Sequence, residues 1–404
     1  MAAILLTVFA AIGSACSSAP SAGRIGQQET GLPRPSVTRT TALPQGPRKA
    51  STCSNASVIA GWPLSERLAR VVAVPSLNFD LPQLSGVIAQ GAGGVLFLGS
   101  APAPTSLATM ISSVQSSPAG HVPILTMADE EGGGIQRLQG VVQTFGWPRD
   151  LAASDSATQV EALATDVGHQ MRAAGVDMDL APVLDVDGRP GPSNSDPDGS
   201  RSFSAQPTVA SSYGIAFAQG LEAGGVIPVV KHFPGLGGST VNSDLGAAAT
   251  VPLDQEETLG LPPFIAAIAT NIPAVMVGNN SVPGLTAGPA SLSSAAISGL
   301  LRSKLGFSGA VLTDSLSAGA VSAAGYTVPS AAVAAIEAGA DLVLFGSTQT
   351  PQQEELLAPS SVMETMNAIV TALTLAVHSG SLPVSRVDAA VGHVIALQNV
   401  DLCR

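Results

Sequence analysis

The sequence predicts an α/β protein, a single-domain (β/α)8 barrel, on three observations. Eight short aliphatic runs recur between residues 70 and 345, each ending in Gly or a polar residue. Stretches of helical period separate them, and alternating strands and helices are the signature of a parallel sheet. No Gly-rich phosphate turn follows the first run, as a doubly wound sheet binding nucleotides would need, and no composition break divides residues 53–404.

The elements follow in chain order. Ala2–Ile12 is apolar, too short for the roughly 20 residues that span a bilayer. Gly13-Ser14-Ala15-Cys16 follows, and the segment looks like a lipoprotein signal peptide over residues 1–15, cut before a lipidated Cys16. The n-region carries no positive charge and Gly13 stands where such signals usually have Leu, so an ordinary signal peptide with an incidental Cys is the alternative. Both readings imply export, and the first a membrane anchor facing the cell wall. The rest of residues 16–52 is rich in Ser, Thr, Pro, Gly and Arg without apolar periodicity, which reads as a flexible linker to a barrel domain at 53–404. With Cys16 lipidated, Cys53 and Cys403 remain at the two ends of that domain. In an oxidising setting they are expected to form a disulfide, two free thiols being the alternative.

The runs are Arg70–Pro75, Gly94–Leu98, Pro123–Ala128, Met178–Val186, Ile227–His232, Ala274–Gly278, Ala310–Thr313 and Asp341–Phe345. Continuous runs of this kind suit strands buried on both faces. Val160, Leu163, Ala164, Val167 and Met171 recur at helical spacing, with Asp155 near the start and Gly175 near the stop. Further helices are predicted over Ala295–Leu305, Val362–Val377 and Val387–Gln398.

Composition bounds the function. The chain of 404 residues is 45% hydrophobic and only 11% charged, against roughly 25% charged in an average soluble domain. This excludes a largely disordered chain. The net charge of −12 and the lack of any basic run exclude a nucleic-acid partner. No Cys/His cluster has metal-ligand spacing and no GxGxxG follows a strand, so neither a metal nor a nucleotide cofactor is expected.

In such barrels the active site lies at the C-terminal strand ends, and the polar residues fall there. The third run ends in Asp129-Glu130-Glu131, the fourth in Asp185 and Asp187 with Arg201 in its loop. The fifth ends in Lys231-His232, the sixth in Asn279-Asn280 and the seventh in Asp314. Strand ends are wet and gather polar residues anyway. Lys231-His232 is harder to dismiss, in a chain with three lysines (Lys49, Lys231, Lys304) and five histidines. Asp, Arg, Lys and His converging on one rim suit a polyhydroxylated ligand, where they fork onto vicinal hydroxyls.

The segments ADEEGGGIQRL (128–138), APVLDV (181–186), KHFPG (231–235), PASLS (289–293) and GFSGAVLTDSL (306–316) occur in the order of glycoside hydrolase family 3. From about residue 62 to residue 398 the chain resembles the family's β-N-acetylhexosaminidase branch, a lone barrel. The resemblance implies a monomeric, retaining exo-β-N-acetylhexosaminidase that removes terminal β-linked N-acetylglucosamine, as in cell-wall fragments. It implies Asp314 of TDSL as the nucleophile, a helix cap being that residue's other reading. It implies Asp129, Arg201, Lys231 and His232 as the residues that hold the sugar hydroxyls. Asp185 reads as a structural acceptor, and Asn279 stands near a family histidine without matching it.

One part of the pattern is broken. The branch carries its acid/base on the loop after KHFPG as Asp-Ser-His, where this chain has Asn242-Ser243-Asp244, and Gly134 replaces an Arg of the EGG motif. Asn242 cannot titrate. Asp244 becomes the candidate acid/base, on condition that burial or a nearby carboxylate raises its pKa from about 3.9. Two alternatives stand beside the leading reading: a binding protein that kept the pocket and lost turnover, and a glycosidase of other sugar preference using Asp244.

Overall fold

The computed structural model describes residues 53–115 and 122–404. The expected signal peptide, Cys16 and the linker to residue 52 lie outside the described residues.

Eight parallel strands form one sheet in the order β8-β1-β2-β3-β4-β5-β6-β7. They are β1 (Val72–Leu77), β2 (Gly94–Leu98), β3 (Leu125–Ala128), β4 (Met178–Asp179), β5 (Ile227–Phe233), β6 (Ala274–Val277), β7 (Ala310–Thr313) and β8 (Val343–Leu344). A parallel bridge between Leu312 and Leu342 joins β7 to the start of β8. The Thr313 N–H donates to the Leu342 carbonyl at 3.1 Å and the Leu316 N–H to that of Leu344 at 2.8 Å. This closes the sheet into the predicted barrel and removes its open edges.

Successive strand residues point to opposite faces, and the core divides accordingly. Ala73, Leu96, Leu125, Met127, Met178, Val229, Met276 and Leu312 fill the barrel interior. Val72, Val74, Val95, Phe97, Val230, Val275 and Val311 pack outward against the helices. Both faces are dry, which is why the runs are continuously apolar. Each such side chain contributes roughly 1.5–3 kcal/mol on burial.

Several strands differ in extent from the apolar runs. Arg70 belongs to the helix Leu64–Arg70, so β1 begins at Val72. β4 stops at Asp179 instead of Val186, because Pro182 has no N–H for a ladder. The segment then continues as a bridge between Val183 and Lys231. Asp341 precedes β8 as a buried anchor, accepting from Arg302, Arg386 and the Val311 N–H.

The helix Ala157–Ala173 is capped by Ser156, one residue later than Asp155, through a reciprocal box with Gln159. Ala295–Lys304 is π-helical, with i→i−5 bonds such as Gly299 N–H to the Ser294 carbonyl at 2.9 Å. Pro359–Ser379 is long and apolar enough to cross a membrane by length and composition. Its Val362, Met366, Ile369 and Leu373 are buried at helical spacing, so one stripe of the helix packs against the barrel. The two ends of the barrel domain meet: Cys53 and Cys403 form a disulfide with Cα atoms 5.9 Å apart. Beside it, Asn55 donates to the Val400 carbonyl at 2.8 Å and accepts from the Leu402 N–H at 2.9 Å.

Candidate active site

The C-terminal mouth of the barrel opens into a pocket of about 450 Å³. Leu96, Leu98, Leu180, Met276 and Leu344 give it an apolar floor, and the ends and following loops of five strands supply polar walls.

After β3 the chain folds into a short antiparallel hairpin, Glu130–Gly132 against Ile135–Gln136. Alternation sends Asp129 and Glu131 to the pocket and Glu130 away from it. Glu130 instead holds the hairpin together, accepting from the Leu138 N–H at 2.5 Å and Gln136 Nε2 at 3.2 Å. Burial, and less so the Asp129 charge, push its carboxyl up to about 7.

Glu131 lies at the centre of a buried charge cluster. Arg201 grips it with two prongs, Nε at 2.7 Å and a terminal nitrogen at 2.9 Å. Lys231 Nζ lies 2.5 Å from Glu131 Oε1 and 2.6 Å from Asp129 Oδ1. Burial alone would push the Glu131 carboxyl up; Arg201 and Lys231 outweigh it and hold the group well below its usual range. The cations respond in reverse: despite burial, Asp129 and Glu131 raise Lys231, and Glu131 raises Arg201. Behind Arg201, burial and then the Asp185 charge push the Asp198 carboxyl up.

The register to β6 shifts between Val230 and Phe233, and both Lys231 and His232, joined by a cis peptide, line the pocket. Arg201 can only donate, so its contact at 3.3 Å makes His232 Nε2 an acceptor. His232 Nδ1 therefore carries the proton donated to Asp185 Oδ2 at 2.6 Å. Fully buried Asp185 also accepts from the backbone N–H groups of His232 and Leu236. It orients the imidazole and does not line the pocket.

Asp314 follows β7 and lines the pocket. Its N–H donates to the Val277 carbonyl at 2.9 Å, and its Oδ1 accepts the Ser315 N–H at 2.7 Å. The next helix, Gly319–Ala323, starts beyond it with Ala318 at the cap, so Asp314 is not a helix cap. Asn279 lies behind this turn, donating to the Ser315 carbonyl at 2.7 Å and accepting from Ser291 Oγ at 2.6 Å.

Asp244 lines the same pocket as Asp314. Burial first, then the Asp314 and Asp129 charges, raise its carboxyl to about 7, against the opposing pull of Arg201. A carboxyl group that keeps its proton near neutrality beside a second carboxylate can protonate a leaving oxygen while its neighbour attacks carbon.

Arg137 and Trp147 are among the pocket residues that the sequence reading does not single out. Arg137 lies inside the ADEEGGGIQRL segment, where its Gln-Arg pair is the sequence signal for it. Trp147 had only its rarity, as one of two tryptophans. Its indole lies on the glycine turn: a Cβ at Gly133, where φ is +56°, would sit 2.0 Å from the ring, and one at Gly134 would sit 3.2 Å from it. The missing Arg of that motif is thus a position over which an aromatic ring rests. Among the described residues no group of three His, Cys, Asp or Glu is placed to hold a metal ion.

Comparison with known proteins agrees with this geometry. The sequence profile described as "Glycosyl hydrolase family 3 N terminal domain" matches residues 78–397. The β-hexosaminidase LpqI of Mycobacterium tuberculosis is 37% identical over 286 residues, 69% of each chain. The solved structure of M. tuberculosis LpqI superposes with a TM-score of 0.74 at 33% identity, covering 86% of this chain and 97% of that one. A β-N-acetylhexosaminidase from Beutenbergia cavernae gives 0.73 at 29% identity, covering 84% and 100%. With five motifs in order, a closed eight-stranded barrel and a carboxylate-lined mouth, the chain belongs to glycosyl hydrolase family 3.

Proposed function

We propose that this protein is a retaining exo-β-N-acetylhexosaminidase acting on terminal β-linked N-acetylglucosamine, with Asp314 as nucleophile and Asp244 as acid/base. The observation that carries the reading is the Asp244 carboxyl, raised to about 7 in the pocket it shares with Asp314. Relatives named β-hexosaminidase and β-N-acetylhexosaminidase support the substrate class.

In the first step an Asp314 oxygen attacks the anomeric carbon. The bond from that carbon to the glycosidic oxygen breaks, and the oxygen takes the Asp244 proton, leaving a glycosyl ester on Asp314. In the second, Asp244 takes a proton from water, the water oxygen attacks the same carbon, and the ester bond breaks with net retention. Asp129, Arg201, Lys231 and His232 hold the sugar hydroxyls. Export through residues 1–15, an anchor at Cys16 and the linker to residue 52 would present a monomeric barrel to cell-wall fragments.

A titrating carboxyl beside the nucleophile favours turnover over binding alone. The test pairs aryl β-N-acetylglucosaminides with aryl β-glucosides of differing leaving-group pKa. Preferred hydrolysis of the acetamido substrates, abolished by Asp314→Ala, is expected. A variant retaining a tenth of wild-type turnover would sink Asp314. Binding of N-acetylglucosamine without turnover of any β-glycoside would leave the sugar-binding reading in its place.

A further inference from the structure

We infer that the Asn242–Asp244 segment is clasped over the pocket by its neighbouring loops, with Gln353 and Gly319 as positioning residues that present Asp244 to the glycosidic oxygen. The inference rests on the reading of Asp244 as acid/base. It concerns what holds a three-residue segment that no helix or strand supports.

The segment is tied on both sides. Towards the loop after β4, the Asn242 N–H donates to the Asn194 carbonyl at 3.0 Å. Towards the loop after β7, the Gly319 N–H donates to the Asp244 carbonyl at 2.9 Å and the Ala320 N–H to the Ser243 carbonyl at 2.8 Å. From the loop after β8, Gln353 Nε2 reaches the same Asp244 carbonyl at 2.9 Å and that of Ser317 at 3.4 Å. Within the segment, Asn242 Oδ1 accepts the Asp244 N–H at 2.9 Å. Asn242 thus shapes the turn that carries the acid instead of orienting a titrating partner.

Gln353 is itself oriented. Its Oε1 accepts from Ser347 Oγ at 3.3 Å and Thr350 Oγ1 at 3.2 Å, so the amide nitrogen faces the two carbonyls. At Gly319 the two backbones pack tightly: a Cβ there would stand 2.5 Å from the Leu245 carbonyl carbon and 2.6 Å from the Gly246 nitrogen. Any side chain at 319 must lift the segment. The charged groups acting on Asp244 are Asp314, Arg201 and Asp129, and Gln353 adds none. The clasp therefore works through distance and enclosure: released, Asp244 gains water and moves away from Asp314, and its proton is lost at lower pH.

The experiment measures kcat/KM on N,N′-diacetylchitobiose, a poor leaving group, and on 2,4-dinitrophenyl β-N-acetylglucosaminide, which needs no acid. Gln353→Ala and Gly319→Ala, on two different short helices, should each lower the first by about tenfold or more and move its basic limb to lower pH. The second substrate should lose much less. If both variants match wild type on chitobiose while Asp244→Asn collapses, the acid stands and the clasp is wrong. Equal loss on both substrates would mean a structural role only, and also overturns it. An Asp244→Asn variant fully active on chitobiose removes the acid itself, and the clasp with it.

Discussion

Asp244 and Asp314, 70 residues apart in sequence, line one pocket, and burial together with the Asp314 charge keeps the Asp244 carboxyl protonated to about pH 7. In family members with an Asp-His dyad the proton sits on an imidazole. Here the neighbouring Asn242 cannot share it, and the tuning comes from enclosure and like charge.

The pH profile should therefore report Asp244. For a poor leaving group kcat/KM is expected to fall as pH rises through about 7, the point at which the carboxyl loses its proton. Asp244→Asn should erase that limb and lower the rate about 10²- to 10⁴-fold. A limb that stays in place in the variant would assign it to another group.

Glu131 is predicted to matter to folding as much as to binding. Its folded pKa lies below the ordinary value of 4.5, so its contribution is complete above that value and is lost as pH falls towards the folded pKa. Glu131→Gln takes the paired carboxylate from buried Arg201 and leaves Lys231 with Asp129 alone, at a cost of about 3–5 kcal/mol. Thermal melts between pH 7 and pH 3 check both points: the variant should melt lower at pH 7 and lose less on acidification. Equal melting temperatures at pH 7 would refute the role.

The glycine turn under Trp147 gives a steric test. Gly133→Ala places a Cβ 2.0 Å from the indole at a φ of +56°. The ring must move, at about 1–3 kcal/mol, and KM should rise with it because Trp147 lines the pocket. Unchanged KM together with an unchanged melting temperature would contradict this packing.

Removing both Cys53 and Cys403 as serines should cost about 2–5 kcal/mol, because the bridge closes a loop with a sequence separation of 350. No pocket-lining residue lies beside either cysteine, so kcat at 25 °C is expected to stay at the wild-type value. A variant melting with the parent would show that Asn55 and the helix contacts suffice to hold the ends.

Much of the site was readable because barrels put function where strands end. Asp129, Arg201, Lys231, His232 and Asp314 were each found at the end of an apolar run or in the loop after it, and all five line the pocket. Arg137 and Trp147 were missed for one reason: neither ends a run, and the hairpin and glycine turn that bring them to the mouth depend on side-chain contacts with no sequence period. The early stop of β4 has a local cause, since Pro182 removes a ladder donor from the run.

The sequence by itself determined the barrel, its eight strands and the rim that bears the chemistry, because hydrophobic period and strand-end polarity are local properties. It left open whether Asp244 could be an acid, since a carboxyl's pKa is set by the water and charge around it. That environment exists only in the tertiary structure, which brings the Asp314, Asp129 and Arg201 charges to bear on a buried Asp244 and places the Gly319 N–H and the Gln353 amide on its carbonyl.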